Sequence, residues 1–402
     1  MSHPMTSWNK LNKARNVFLN LWACVLFLCA FGLIMVYSTT SYKCGSAATY
    51  NYNSMYLLKR QGLFMVFGFI LMLVGGNVDY HILKKKFSVS IYVISLVCIL
   101  LLLTPLGVSV NGATRWLNVV GVFQFQVAEA VKISVILLLA YMVNEHFNHL
   151  DKMKLTIYLW LVGSIPTFML FFISNDLSSA LVVLGMTYLT SLICARTYKI
   201  HFGIFCAVGI VVLIVLFAVS RISVEQDLSE MSFRVVRILA WLNPEKYADG
   251  KSYQTMQSLY AIGSGGLFGK GLGRSSQKYY MLPESHTDMI FSIICEELGI
   301  VGALLLIILF VYLLYNIVSV AMAADLFGAV LAIGVFLHVG IQMVINIAVA
   351  LNIFPNTGLP LPFISYGGTS VCFVLIEMAL VLSIARCNIE RESKCFRWDL
   401  ST

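Results

Sequence analysis

Ten apolar runs constrain this chain before any motif is considered. They lie near residues 16–37, 62–78, 87–104, 127–144, 155–174, 178–195, 202–220, 290–315, 326–350 and 369–386. A transmembrane helix needs roughly 20 mostly apolar residues to cross about 30 Å of hydrocarbon. Composition agrees: 59% of residues are hydrophobic and only 11% charged, against about 25% charged in ordinary soluble domains. A soluble globule of this kind would lack the polar side chains to cover its surface. A cytosolic enzyme, a disordered chain and a nucleic-acid module are excluded. The expected fold is an all-α polytopic membrane protein with ten transmembrane helices, forming a single membrane domain over residues 1–402. The first run follows Lys10, Lys13 and Arg15, as in a signal peptide. It is too long for a signal core and no small-residue cleavage site follows, so it is expected to remain as the first helix.

Basic residues set the expected orientation. With the N-terminus inside, the cytoplasmic segments hold 14 Lys and Arg, among them Lys10, Lys13, Arg15, Lys84, Lys85, Lys86, Arg386 and Arg391, and the short outer loops hold 4, namely Lys43, Lys59, Arg60 and Arg115. An even number of spans places both termini in the cytoplasm. One connection is far longer than the rest: about 221–289, expected as a large extracytoplasmic loop. That length implies function and some structure of its own. Its first half carries Arg234 and Arg237 three residues apart, with Phe233, Val236, Ile238 and Trp241 available to rest on membrane or protein. An interfacial helix and a solvated loop helix both fit.

Of the ten cysteines most sit inside apolar runs, without CxxC pairs or zinc-like spacing, and read as small buried hydrophobes. Ionisable residues inside spans are costly and tend to be functional. Glu129 and Lys132 are spaced i,i+3 on one helical face, close enough to pair. A structural ion pair and one wall of a substrate-holding polar cavity are both open. Arg115 beside Trp116 suits an anion-binding arginine at the membrane boundary, or a snorkelling one. Asp176 opens the sixth run, where Asp is a good N-cap. Glu296 and Glu297 fall near the outer end of the eighth run, Glu377 lies mid-span and needs a buried partner or a proton, and His338 reads as a satisfied core histidine.

Two irregular segments stand out. Gly263–Gly273 is glycine-rich but lacks the phosphate-loop pattern, since Ser264 stands where Gly is required and Gly271 where Ser or Thr is required. Flexibility or close backbone packing is the better reading. Asn356–Ser370 contains two prolines and three glycines, which forbid a regular helix. Non-helical backbone at membrane depth survives only inside protein or along a wet cavity.

These segments together resemble a family. Asn111-Gly-Ala-Thr-Arg-Trp116, Ala128-Glu-Ala-Val-Lys132, Gly265–Gly273, Leu282-Pro-Glu-Ser-His-Thr-Asp288 with Glu296-Glu-Leu-Gly299, and Gly358-Leu-Pro-Leu-Pro-Phe-Ile-Ser-Tyr-Gly-Gly-Thr-Ser370 occur in this order. The chain is similar over nearly its whole length to the SEDS (shape, elongation, division and sporulation) peptidoglycan glycosyltransferases. The resemblance implies a bacterial cytoplasmic-membrane enzyme that polymerises lipid II, a disaccharide-pentapeptide on undecaprenyl pyrophosphate, into β-1,4 glycan on the outer face. It implies as partners lipid II, membrane lipids, a class B penicillin-binding protein transpeptidase and the division or elongation machinery, with no nucleic acid. It makes Asp288 the essential acidic residue, and Arg115, Glu129, Lys132, Asp176, Glu284, His286 and Ser365 candidate substrate-binding residues. Val127 and Asn175 stand where the family usually has proline, and Tyr280 where some members have an acid. Both branches leave traces; Gly271-Leu-Gly273 and Gln277–Tyr280 favour division, Ile262–Lys270 and Asn243–Lys246 elongation. Division is the expectation. No cofactor is expected; Glu284, His286 and Asp288 alternate as divalent-metal ligands would, but no further ligand is identifiable. A lipid-precursor flippase remains the rival function, and a small-solute transporter is weaker because no internal repeat is found.

Overall fold

The computed structural model describes residues 4–110, 113–119, 123–149, 153–194, 198–220, 233–248, 250, 252–279 and 281–401. Asn111, Gly112, Tyr280 and the first part of the long loop, 221–232, lie outside the described residues, as does the side chain of Arg234. The expected runs correspond to α1 (Pro4–Ser46), α2 (Tyr56–Asn77), α3 (Lys86–Leu101), α4 (Val127–Glu145), α5 (Met153–Phe172), α6 (Leu177–Cys194), α7 (Tyr198–Ser220), α10 (Ile290–Ala323), α11 (Leu326–Ala350) and α12 (Thr369–Ser401). Among the described residues nine helices are long and apolar enough to cross a membrane; α3, with 16 residues, is shorter. Two further helices, α8 (Phe233–Leu242) and α9 (Tyr253–Gly265), belong to the long loop.

Helices α4, α11 and α12 form the buried centre. Small residues set how closely their neighbours approach, as packing between apolar helices requires. Along α2, Gly68 meets Cys372 and Leu375 of α12, and Gly75 meets Ala379. Gly334 of α11 faces Ile136 of α4, and Gly163 of α5 faces Thr187 of α6. Helix α7 stands apart. Its apolar side chains are exposed almost throughout, and it is tied to α6 where the Tyr188 hydroxyl donates to the His201 carbonyl at 3.0 Å. An apolar helix exposed over most of its surface is stable only against lipid.

The helical fold includes one element that the reading of apolar runs does not anticipate. Between α3 and α4 lies a small antiparallel sheet, β1 (Gly107–Val110), β2 (Ala113–Val119) and β3 (Phe123–Gln126), in the order β1-β2-β3. Trp116 pairs with Gln126, so β3 delivers the chain directly into α4. Phe125 packs near Phe373 of α12, ring centroids 6.3 Å apart.

Helix α10 is broken at Gly299, whose backbone (φ 69°, ψ −172°) is not helical. The break frees carbonyls that membrane-embedded backbone must satisfy. The glycine-rich loop does so: the amides of Lys270 and Gly271 donate to the carbonyls of Glu296 and Glu297, each at 2.9 Å. In return Ile300 and Val301 donate to Gly266 and Leu267 at 3.0 and 3.1 Å. A Cβ on Gly265, Gly269 or Gly299 would strike the facing main chain. Close backbone packing is therefore what these glycines serve. Glu296 and Glu297 lie behind the loop and gather it, with Lys270, Ser275, Ser276 and Lys278 around them.

Candidate active site

Asp288 sits in the turn that joins the glycine-rich loop to α10. The turn closes on itself, with the amides of Thr287 and Met289 donating to the Glu284 carbonyl at 3.1 and 3.2 Å and Glu284 in the left-handed region (φ 50°). Three successive carbonyls are then fixed from outside. His286 accepts from the Tyr366 amide at 2.8 Å, Thr287 from the Ser365 hydroxyl, and Asp288 from the Asn346 side chain at 2.8 Å. The same Asn346 nitrogen donates to the Leu359 carbonyl at 2.8 Å. The proline-glycine segment before α12 and the C-terminal part of α11 thus set where the carboxylate stands.

The carboxyl group itself has few partners. Gln254 of α9 approaches at 3.3 and 3.5 Å and the Thr287 hydroxyl at 3.3 Å. Gln254 is aimed by Asn356, which donates to its carbonyl oxygen at 2.8 Å. Burial, followed by the neighbouring Glu284 carboxylate, pushes the pKa of Asp288 up to about 7. Its hydrogen bonds oppose that shift and do not cancel it. Burial and Lys43 push His286 down to about 4, with Glu284 opposing, so its imidazole is neutral at neutral pH. Glu284 is exposed and accepts from the Thr287 hydroxyl at 2.8 Å. Among the described residues no group of three or more side chains suited to a metal ion comes together.

Cations converge on the same end. Arg115 projects from β2 toward the start of α6, its Nε 3.8 Å from Asp176 Oδ2. Asp176 also caps α6, accepting the Ser179 amide at 3.2 Å and its hydroxyl at 2.8 Å. The N-cap role and a salt-bridge role coexist. Arg237 of α8 joins them: burial and then the like charge of Arg115 lower its pKa, while the Asp288 carboxylate opposes both. Arg237 is therefore electrostatically in reach of both the second arginine and the acid. This electrostatic coupling crosses elements and leaves no sequence signal beyond an arginine in an amphipathic stretch.

Glu129 and Lys132 do not join Asp288. They pair at 2.7 Å at the core of the bundle, fully buried. Lys132 Nζ also contacts Gln342 Oε1 at 3.1 Å and His338 Nε2 at 3.0 Å, and His338 Nδ1 meets Glu377 at 2.7 Å. His338 and Glu377 are each the partner the other needed. This cluster reaches the site through α11. Gln342 donates to the Pro360 carbonyl at 2.8 Å, one helical turn before Asn346 holds Asp288. Ser365 is buried with its hydroxyl engaged on both sides, accepting from Leu361 N and donating to the Thr287 carbonyl. It positions the turn.

A bundle of membrane-length helices, with an acid, arginines and irregular backbone at one end, defines a multi-pass membrane protein with an organised polar site there. The family model described as "Cell cycle protein" (FtsW, RodA, SpoVE) matches residues 18–390, and the chain belongs to this family. It is 35% identical over 366 residues to the "Probable peptidoglycan glycosyltransferase FtsW" of Trichlorobacter lovleyi, covering 90% of this chain and 91% of that protein. It is 34% identical to the stage V sporulation protein E of Bacillus subtilis, covering 90% and 94%. Among solved structures it is similar to a chain of a peptidoglycan synthase complex that coordinates polymerization and crosslinking (TM-score 0.71, 26% identity, 92% and 97% covered). It is also similar to the rod shape determining protein RodA of Thermus thermophilus (TM-score 0.61, 26% identity, 91% and 95% covered).

Proposed function

We propose that this protein is a peptidoglycan glycosyltransferase that polymerises lipid II on the outer face of the cytoplasmic membrane, in septal wall synthesis. The observation that carries the reading is the acid Asp288, held by its main chain, short of hydrogen bonds and raised to about 7, with its charge felt by Arg237, which in turn feels Arg115 beside Asp176. The reaction needs a base at the acceptor sugar's 4-hydroxyl and cations on the departing pyrophosphate. Asp288 takes the hydroxyl proton as that oxygen bonds to the donor's anomeric carbon. The bond from that carbon to the pyrophosphate breaks, and undecaprenyl diphosphate leaves with Arg115 and Arg237 opposite its charge. One displacement at an α-linked donor gives a β-linked product.

The lysine and arginine count supports cytoplasmic termini and an outward-facing site. The relatives named FtsW support division over elongation. Similarity to a chain from a synthase complex supports a class B penicillin-binding protein as partner. Purified protein given lipid II should make polymer, and Asp288→Asn should make none while eluting and melting like the wild type. Polymer from Asp288→Asn at the wild-type rate refutes the role of Asp288. Lipid II crossing proteoliposomes without polymer refutes the enzyme in favour of a flippase.

A further inference from the structure

Far from Asp288, the opposite ends of α1, α10 and α12 border a half-open cavity of about 360 Å³. Helix α1 measures the separation. Ser38 bonds Glu297 beneath the glycine-rich loop, and Lys13 lies 25 residues earlier on the same helix, a rise of about 38 Å. The cavity is thus a membrane's thickness from the site described above and takes no part in it. Its volume is at the lower end of small-ligand sites.

The lining divides by charge. Lys10 and Lys13, spaced i,i+3 on one face of α1, present two ammonium groups. Glu392 of α12 presents a carboxylate across from them. Among the described residues none of the three has an ion-pair partner. The wall between them is the C-terminal end of α10, the negative end of its dipole. There Asn388 donates to the Val320 carbonyl at 3.1 Å and Arg391 to the Ala323 carbonyl. Val17 and Ala385 make an apolar floor leading into the bundle.

We propose that this cavity holds the headgroup of a zwitterionic phospholipid, its phosphate on Lys10 and Lys13 and its amine at Glu392. A purely anionic headgroup would satisfy the lysines and face Glu392 with like charge. A group carrying phosphate and ammonium matches both signs at once, and the apolar floor accepts the glycerol carbons that follow. Basic pockets between helix ends at a membrane surface are suited to phospholipid headgroups. By the lysine count the leaflet is the cytoplasmic one.

The test is independent of glycosyl transfer. The full chain is delipidated in detergent, given equal phosphatidylethanolamine and phosphatidylglycerol, and weighed by native mass spectrometry. Wild type should retain phosphatidylethanolamine in preference. Lys10→Gln with Lys13→Gln should lower that retention about tenfold or more; both side chains are exposed, so the fold is spared. Glu392→Gln should erase the preference while keeping phospholipid bound. Equal retention of the two lipids by wild type, or unchanged retention by the double variant, overturns the proposal. Soluble phosphoethanolamine is the second arm: failure to displace the lipid supports a membrane-held ligand, and displacement at equal affinity overturns the lipid assignment in favour of a free headgroup.

Discussion

Asp288 and the pair Glu296–Glu297 lie within nine residues of each other, all three buried, and are treated in opposite ways. Glu296 is surrounded by donors, with Lys270 at 2.6 Å, the Ser276 hydroxyl at 2.8 Å and the Ser276 amide at 3.0 Å. Glu297 has Ser38 at 2.7 Å and Lys278 at 2.9 Å. Asp288 has a glutamine and a threonine, each beyond 3.2 Å. Donors around a buried carboxylate make it an anchor, whereas scarcity leaves it holding a proton near neutrality. The chain places its strong donors on the scaffold and leaves Asp288, the acid proposed as the base, with only weak ones. Perturbed acids in such positions are functional candidates.

That contrast can be broken experimentally. The largest effect is expected for Asp288→Asn: polymerisation falls by about 10³-fold or more, with the melting temperature unchanged or higher, read by a lipid II polymerisation assay and a thermal shift. Next comes Glu297→Gln. It leaves Lys278 buried without its counter-charge and should cost about 3–5 kcal/mol of stability, seen as lost yield or a lowered melting temperature. A stable Glu297→Gln protein would erase the distinction between the two sites. Asn346→Leu removes the donor to the Asp288 carbonyl and should lower turnover by roughly 10–10²-fold with KM little changed. Turnover near wild type would detach α11 from the site.

Smaller still is the pH dependence. A base with a pKa of about 7 is protonated below that value. The rate should therefore climb through pH 7, about tenfold per unit on the acid side, and level off above it. Stability runs the other way. Between the ordinary carboxylate pKa and 7, folded Asp288 binds the proton that the unfolded chain has released. Its contribution to folding therefore declines as pH rises through that window. Asp288→Asn should flatten this slope in a pH series of melting curves; an unchanged slope would assign the titration elsewhere.

Much of the architecture is legible in sequence because lipid leaves few alternatives: each apolar run of span length became a helix. The sheet is less legible. Its strands are four to seven residues long, and the Phe123-Gln-Phe-Gln126 alternation before the fourth run is the one signal that could have found β3. Asp288 enters as a candidate through the resemblance, and the pairing of Glu129 with Lys132 was legible through helical spacing. The pairing of His338 with Glu377, 39 residues apart on different helices, was not. Nor were the donors that collect on Glu296 and Glu297 or the electrostatic coupling of Arg237 to Arg115, since interactions between elements leave no periodicity.

The glycines at the break in α10 carry a warning for genetics. Gly265, Gly269 and Gly299 admit no side chain because the facing main chain occupies the space. A saturation screen for growth would score all three as absolutely intolerant, alongside Asp288. Yet they have no side chain to contribute to the chemistry. Essentiality in such a map would thus mix two populations, and only a folding assay run on the same library would separate the residues that do chemistry from those whose absence of a side chain lets the loop seal the broken helix.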